Sequence, residues 1–182
     1  VVLESNSPPL ATLEGVVLVP ELSPVALKVV VVDTDTPKHV TVMRLLAGPE
    51  GLTISSNGVV VWQPQEAQGP STNRLVVVVS DGVISITNHW ELRVMEVNQA
   101  PELVSVGNLS IDPLTPNLIR LEARDADLPA QKLTFALVSG PKGMTIDPAA
   151  GVISWTPTAD QALAQYPVTV SVSDGFRTVS TS

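Results

Sequence analysis

At 182 residues, the chain is long enough for one large domain or for two domains that each bury a core of their own. Hydrophobic residues make up 44% of it, mostly Val, Leu and Ile, and 16 Pro and 11 Gly interrupt any long helix, so the composition predicts an all-β class. The net charge of −8 argues against nucleic acids and anionic membranes as partners, the absence of cysteine excludes disulfides, and no apolar run reaches the length of a membrane span.

The first half of the chain predicts short strands separated by tight turns. Gly48-Pro49-Glu50-Gly51 fits a turn in which the proline fixes φ and the second glycine accepts a positive φ. Asn57-Gly58 predicts a hairpin between Ile54 and a strand at Val59–Trp62. A further turn signal, Ser80-Asp81-Gly82, ends the next apolar run.

The second half repeats these signals in the same order. The offset is 92 residues through the first turn (125 − 33 = 92) and 93 residues after it, because one residue is inserted. The matching segments are Asp33-Thr34-Asp35-Thr36-Pro37 with Asp125-Ala126-Asp127-Leu128-Pro129, Gly48–Ile54 with Gly140–Ile146, Gly58, Trp62 and Pro64 with Gly151, Trp155 and Pro157, and Ser80-Asp81-Gly82 with Ser173-Asp174-Gly175. So many rare residues in one register identify a tandem repeat.

Each repeat predicts a Greek-key sandwich of roughly seven strands, because turn signals recur every 8–12 residues. In repeat 2, alternate apolar residues predict two strands with one inward face, Leu133, Phe135 and Leu137 on the first and Val168, Val170 and Val172 on the second. Trp62 and Trp155 end short apolar strands, and we interpret them as core anchors.

Three segments of repeat 2 resemble a known family: Leu133–Asp147, Gly151–Thr158 and Val172-Ser173-Asp174-Gly175. They are similar to the dystroglycan-type cadherin-like repeats, also called "putative Ig" repeats, of bacterial and archaeal extracellular surface proteins. The resemblance covers nearly the whole chain and is more specific in repeat 2. It implies two tandem Ig-like or cadherin-like Greek-key β-sandwich domains outside the cell, in adhesion, spacing or assembly.

The first and last residues of the chain do not coincide with the boundaries of the repeat. Glu96-Val97-Asn98 resembles the linker of cadherin-like arrays and recurs 92 residues earlier as Glu4-Ser5-Asn6. We therefore place repeat 1 at residues 6–98 and repeat 2 at residues 99–182, the latter without its final strand. Residues 1–5 then belong to the last strand of a preceding repeat, or serve as a donor strand that completes a neighbour. Excision from a longer array explains the same ends.

The resemblance also implies calcium sites, because cadherin-like repeats gather Asp and Asn residues at one end. Calcium prefers six to eight oxygen ligands, several of them carboxylates. Cadherins carry an acidic motif where this chain has Trp-Thr-Pro-Thr or Trp-Gln-Pro-Gln. The resemblance therefore implies fewer calcium ions per junction than cadherins bind. The alternative is that these Asp residues only cap turns through the backbone. Carried over residue by residue, the ligands are Asp33, Asp35, Asp81 and Asn6 in repeat 1, and Asp125, Asp127, Asp174 and Asn98 in repeat 2, with Glu96 nearby.

Valine replaces polar residues at six positions of repeat 1. Such a set is too apolar for an ordinary solvated surface, so we expect a neighbouring chain or domain to cover it. A slip in the alignment would instead turn these side chains to the other face. The positions are Val30, Val32, Val40, Val42, Val76 and Val78, which align with Glu122, Arg124, Lys132, Thr134, Thr169 and Ser171.

No catalytic constellation is found, since there is no cysteine, no Gly-Xaa-Ser-Xaa-Gly motif and no glycine-rich phosphate loop, and His39 and His89 lack ligand spacing. We expect an extracellular spacer or building block of a cell-surface array or self-assembling filament, which contacts other copies or neighbouring repeats. The alternative function is a calcium-dependent adhesion segment or a carbohydrate-binding appendage of a larger secreted protein. Carbohydrate binding would need Trp90 or Tyr166, because aromatic residues are scarce.

Overall fold

The computed structural model describes residues 5–15, 17–37 and 39–182. The chain divides into two compact units, the first ending at Val97 and the second beginning at Asn98. The helices in the described ranges are two single turns of 3₁₀ type, Glu66–Gln68 and Ala159–Gln161, and all other regular elements are strands. The all-β prediction is confirmed, as expected for a chain in which Pro and Gly interrupt runs of β-branched residues.

The first unit is a sandwich of two four-stranded sheets. One sheet has the order β1-β3-β6-β5 and the other β2-β8-β7-β4; all pairs are antiparallel except the parallel pair β2 and β8. Its strands are β1 (Leu10–Glu14), β2 (Leu18–Pro20), β3 (Val25–Val32), β4 (Val42–Ala47), β5 (Thr53–Ile54), β6 (Val59–Trp62), β7 (Ser71–Ser80) and β8 (Ser85–Met95).

The second unit repeats this arrangement with shorter strands. Its sheets have the orders β10-β14-β13, β9-β11 and β12-β15-β16. The register shift between Leu45 and Ala47 in β4 recurs between Leu137 and Ser139 in β12, so the repeat extends to strand irregularities. The strands are β9 (Glu102–Leu103), β10 (Asn117–Arg120), β11 (Ala123–Arg124), β12 (Thr134–Ser139), β13 (Thr145–Asp147), β14 (Val152–Trp155), β15 (Thr169–Ser173) and β16 (Thr178–Thr181).

The predicted hairpin at Asn57-Gly58 is confirmed. β5 pairs with β6 through Ile54 and Val60, and Gly58 has a φ of +82°. The carbonyl of Gly58 accepts a 2.8 Å hydrogen bond from the N–H of Val29 in β3. A Cβ on Gly58 would lie 2.4 Å from the Val29 carbonyl oxygen, so both the backbone conformation and the space require glycine here.

Each unit has a core of its own, anchored by tryptophan as predicted. Trp62 is 1% exposed and Trp155 is 9% exposed. The indole Nε1 of Trp62 donates to the carbonyl of Glu50 at 3.1 Å, which ties β6 to the turn before β5. The inward residues expected in repeat 2 are also confirmed, because Phe135, Val170 and Val172 are buried and Leu133, Leu137 and Val168 pack against them.

Candidate cation sites

A cluster of three aspartates lies where strands of the first unit end. Asp33 and Asp35 follow β3, and Asp81 follows β7. The backbone N–H of Asp35 donates to the Oδ1 of Asp33 at 3.0 Å, and the N–H of Ser7 donates to both carboxylate oxygens of Asp35 at 3.1 and 2.9 Å. The Nδ2 of Asn6 donates to the Oδ2 of Asp81 at 2.9 Å. All four residues expected to be ligands in repeat 1 therefore come together.

The second unit reproduces these contacts almost atom for atom. The N–H of Asp127 donates to the Oδ1 of Asp125 at 3.0 Å, and the N–H of Gln99 donates to both carboxylate oxygens of Asp127 at 3.1 Å. The Nδ2 of Asn98 donates to the Oδ2 of Asp174 at 3.0 Å. One oxygen from each aspartate lies within 4.8 Å of the others, and Asp127 and Asp174 are buried. Four of the five residues expected around the repeat 2 site therefore come together.

Hydrogen bonds favour the charged forms of two of these aspartates. The N–H of Ile84 and the side chain of Asn6 lower the pKa of Asp81 to about 2, because both donate to its carboxylate. Burial alone would raise the pKa of Asp174. The N–H of Arg177, the Asn98 side chain and the N–H of Phe176 outweigh that effect, and the pKa of Asp174 is lowered.

The two aspartate clusters differ at one position that the sequence pattern does not assign to the site. The Nε2 of Gln131 donates to the Oδ1 of Asn98 at 2.8 Å and to the Oδ2 of Asp127 at 3.0 Å, which closes the network of the second unit. His39 occupies the equivalent place in the first unit, with its Nδ1 3.9 Å from the Oδ2 of Asp35. The repeat alignment contains this pairing, since the two positions are 92 residues apart.

A third acidic cluster, Glu21, Glu66 and Glu96, was missed by the sequence reasoning. Glu21 follows β2, Glu66 begins the 3₁₀ turn and Glu96 follows β8; one oxygen from each lies within 4.8 Å of the others. Glu96 was expected near the aspartates of repeat 2, whereas the structure groups it with two glutamates of the first unit. The parallel pairing of β2 with β8 brings Glu21 and Glu96 together, and no short sequence motif indicates it.

Glu21 is the most unusual member of that cluster because it has no solvent exposure at all. Its Oε1 accepts a 3.0 Å hydrogen bond from the N–H of Val97, while its Oε2 is buried and accepts none. A buried carboxylate oxygen without a donor is costly unless a cation balances it. Pro113 and Ala159 stand at the equivalent positions of Glu21 and Glu66 in the second unit, so this cluster belongs to the first unit alone.

Five of the six valines expected at an interface are split between two sheets, and Val40 lies in no strand. Val30 and Val32 lie in β3, whereas Val42 lies in β4 and Val76 and Val78 in β7 of the other sheet. Val76 is only 6% exposed, between Ala47 and His89 on the neighbouring strands, and Val78 is half-buried. Val32, Val40 and Val42 are 52%, 83% and 62% exposed. Because five of them are divided between two sheets, the six valines do not form one continuous surface.

The sandwich fold has counterparts among known proteins. Residues 100–182 match the family described as "Putative Ig domain". The fold of the second repeat is therefore Ig-like. Human protocadherin-24 EC1-2 has the same fold, with a TM-score of 0.55 and 14% identity in its form II crystal, and the alignment covers 90% of this chain and 87% of that one. A second crystal structure of the same fragment has a TM-score of 0.52 at the same identity, with 90% and 88% coverage.

Other matches add little about function. An endo-fucoidan hydrolase from glycoside hydrolase family 107 is 22% identical over 95% of this chain, at a TM-score of 0.43. The chain spans only 28% of that hydrolase's length. No curated protein matches the sequence. Among the described residues, no helix is long and apolar enough to cross a membrane.

Proposed function

We propose that the chain is a calcium-binding structural module of an extracellular protein, a spacer or building block in a cell-surface array. The observation that carries this proposal is the fully buried Glu21, whose Oε2 has no donor and which meets two other glutamates. A set of metal ligands made up only of oxygen atoms suits calcium better than it suits a transition metal. The fold resemblance to protocadherin repeats and the "Putative Ig domain" match support an extracellular structural role.

In this proposal each cation stiffens one end of a unit. In the first unit, an ion at Glu21, Glu66 and Glu96 links the end of β2 to the end of β8 and to the 3₁₀ turn. In the second unit, an ion at Asp125, Asp127 and Asp174 joins the segments after β11 and β15, while Asn98 holds Asp174. The aspartates of the first unit, with Asn6, form a further candidate site. The ion stabilises each unit mainly because it offsets the repulsion between the carboxylates of the cluster.

Self-association in an array or filament is the second part of the proposal. The support for it is the tandem repeat and three exposed valines, Val32, Val40 and Val42. The donor-strand prediction for residues 1–5 falls largely on residues 1–4, which lie outside the described ranges.

The alternative, a calcium-dependent adhesion or carbohydrate-binding appendage, has less support. The ring of Tyr166 packs edge-on against Trp155 at 5.6 Å between centroids, and Trp90 packs against the core of the first unit. Both aromatic residues that carbohydrate binding would need are therefore engaged in structure. Phe176, which is 80% exposed, is the one strongly exposed aromatic side chain in the described residues.

Calcium titration of the Glu21→Gln variant tests the proposal. Glutamine keeps the size of the side chain but removes its charge, so we expect one calorimetric binding event to weaken at least tenfold. At a calcium concentration of 100 times Kd, one occupied site stabilises the fold by about 2.7 kcal/mol, and this increment is lost from the variant. Glu14→Gln is the matched control, because Glu14 lies exposed on β1. Equal calcium binding by both variants would overturn the assignment.

A further inference from the structure

The aspartate cluster of the first unit includes a histidine. His39 lies between β3 and β4. One ligand atom from each of four residues lies within 4.8 Å of the others: Asp33, Asp35, His39 and Asp81. The Nδ1 of His39 is 3.9 Å from the Oδ2 of Asp35. The second unit has Gln131 at this place, and its cluster groups three aspartates. The two clusters therefore offer different atoms to a cation, since the first adds an imidazole nitrogen to the carboxylates.

Three polar atoms in this cluster are buried without a hydrogen bond. They are the Nδ1 of His39, the Oδ2 of Asp33 and the Oδ1 of Asn6, and none of them has a hydrogen-bond partner within the described ranges. Asn6 is tied to the cluster through its Nδ2, which donates to Asp81. Burying polar atoms in this state is costly, because each has lost its bonds to water and gained none. A cation removes this cost by accepting their lone pairs.

Backbone groups hold the other carboxylate oxygens in place. The N–H groups of Val83 and Ile84 donate to the Oδ1 of Asp81 at 2.8 and 2.6 Å. The N–H of Ser7 donates to both carboxylate oxygens of Asp35. A carboxylate oxygen that accepts one hydrogen bond keeps a second lone pair for a metal ion, and such hydrogen bonds orient the ligands around a metal. The carboxylates are thus positioned before any ion binds.

An ion can reach the cluster from solvent. A surface pocket beside it is lined by Val31, Val32, Asp33, His39 and Thr41. The side chain of His39 is 34% exposed, so its ring is accessible from that pocket. Asp33 and His39 each carry one of the atoms without a hydrogen bond, and the pocket therefore leads to both of them.

The imidazole nitrogen changes which ion fits. Calcium takes six to eight oxygen ligands, whereas imidazole together with carboxylates suits zinc and similar ions. Tetrahedral zinc holds its ligand atoms about 3.4 Å apart, which small side-chain rotations reach from a separation within 4.8 Å. We propose that the aspartate cluster of the first unit binds a divalent transition metal ion of the zinc type through His39, and that the residue at this one position selects the ion. The inference gives that further candidate site a different ion from calcium, and it does not rest on calcium binding at Glu21.

Zinc titration of the complete chain in excess calcium tests this inference. We expect one saturable calorimetric binding event and, in NMR, a shift of the ring nitrogens of His39. His39→Gln should weaken this event at least about tenfold, because it removes the nitrogen ligand. Glutamine already occupies this place in the second unit, so the variant should fold. His89→Gln is the matched control and should bind zinc as the wild type does, because His89 lies exposed on β8.

The reverse change in the second unit gives an independent test. Gln131→His places an imidazole beside Asp127, so we expect a second zinc-binding event in this variant. No zinc event in the wild type, an event that His39→Gln leaves unchanged, or zinc that excess calcium displaces would each overturn the assigned metal. A Gln131→His chain that binds no second zinc ion would overturn the selection of the ion by this position.

Failure of the inference is distinguishable from failure of the proposed calcium sites. Zinc should bind equally well to Glu21→Gln and to the wild type, because Glu21 belongs to the separate glutamate cluster. Zinc binding without any calcium binding would leave the inference standing and refute the calcium sites; calcium binding without zinc binding would do the reverse.

Discussion

Replacing Gly58 by alanine should destabilise the first unit far more than the same change at Gly51. Both glycines have a positive φ, +82° and +80°, which costs alanine about 1 kcal/mol at each position. A Cβ on Gly51 meets nothing within 4 Å, so that variant bears this cost alone. On Gly58 the Cβ would lie 2.4 Å from the Val29 carbonyl oxygen, about 1 Å inside ordinary contact.

Relieving that overlap requires β3 to move away from the turn, which breaks the hydrogen bond from the N–H of Val29 to the Gly58 carbonyl. Loss of this hydrogen bond adds about 1 kcal/mol to the cost of the positive φ, and the remaining strain adds a similar amount. We therefore expect Gly58→Ala to lower the free energy of unfolding by about 3 kcal/mol. Urea unfolding gives the two free energies, and amide hydrogen exchange at Val29 locates the change. Equal destabilisation by the two variants would refute this account of the hairpin.

Two more predictions concern the core and the response to acid. Leu92→Ala should destabilise the first unit by about 3 kcal/mol, whereas Val32→Ala, at 52% exposure, should stay within about 0.5 kcal/mol in the same urea assay. The folded-state pKa of Asp81 is lowered from 3.8 to about 2, so its contribution is fully present above pH 3.8 and is lost as the pH falls toward 2. Acid unfolding followed by circular dichroism should therefore show a smaller stability loss across that window for Asp81→Asn than for wild type, and an unchanged loss would contradict the assigned hydrogen bonds.

The sequence predicted those features that depend on local chemistry or on the repeat. The positive φ at Gly58, the buried Trp62 and Trp155, and the inward Phe135 follow from turn chemistry and alternation. The aspartates of each repeat also come together, as the resemblance to cadherin-like repeats implied. Self-comparison alone showed only that both copies carry aspartate at these positions.

Features that depend on the pairing of distant strands were not predictable. Glu21, Glu66 and Glu96 are far apart in sequence yet lie together, and the parallel pair β2 and β8 accounts for the approach of Glu21 to Glu96. The valines were aligned correctly between repeats, yet an alignment cannot assign strands to sheets, so the split between the β3 and β7 sheets was missed. Sheet membership is set by long-range pairing, whereas alternation reports only which face a residue occupies.

The proposed calcium sites are tested most directly by mapping backbone amide shifts during a calcium titration by NMR. The account predicts saturable changes at the N–H of Val97, which donates to Glu21, and at the N–H of Gln99, which donates to Asp127. The Asp147 turn, whose carboxylate is held by the N–H groups of Ala150 and Ala149, should not change. Weak, unsaturable changes spread over all acidic residues, with none larger at Val97 or Gln99, would contradict specific calcium binding.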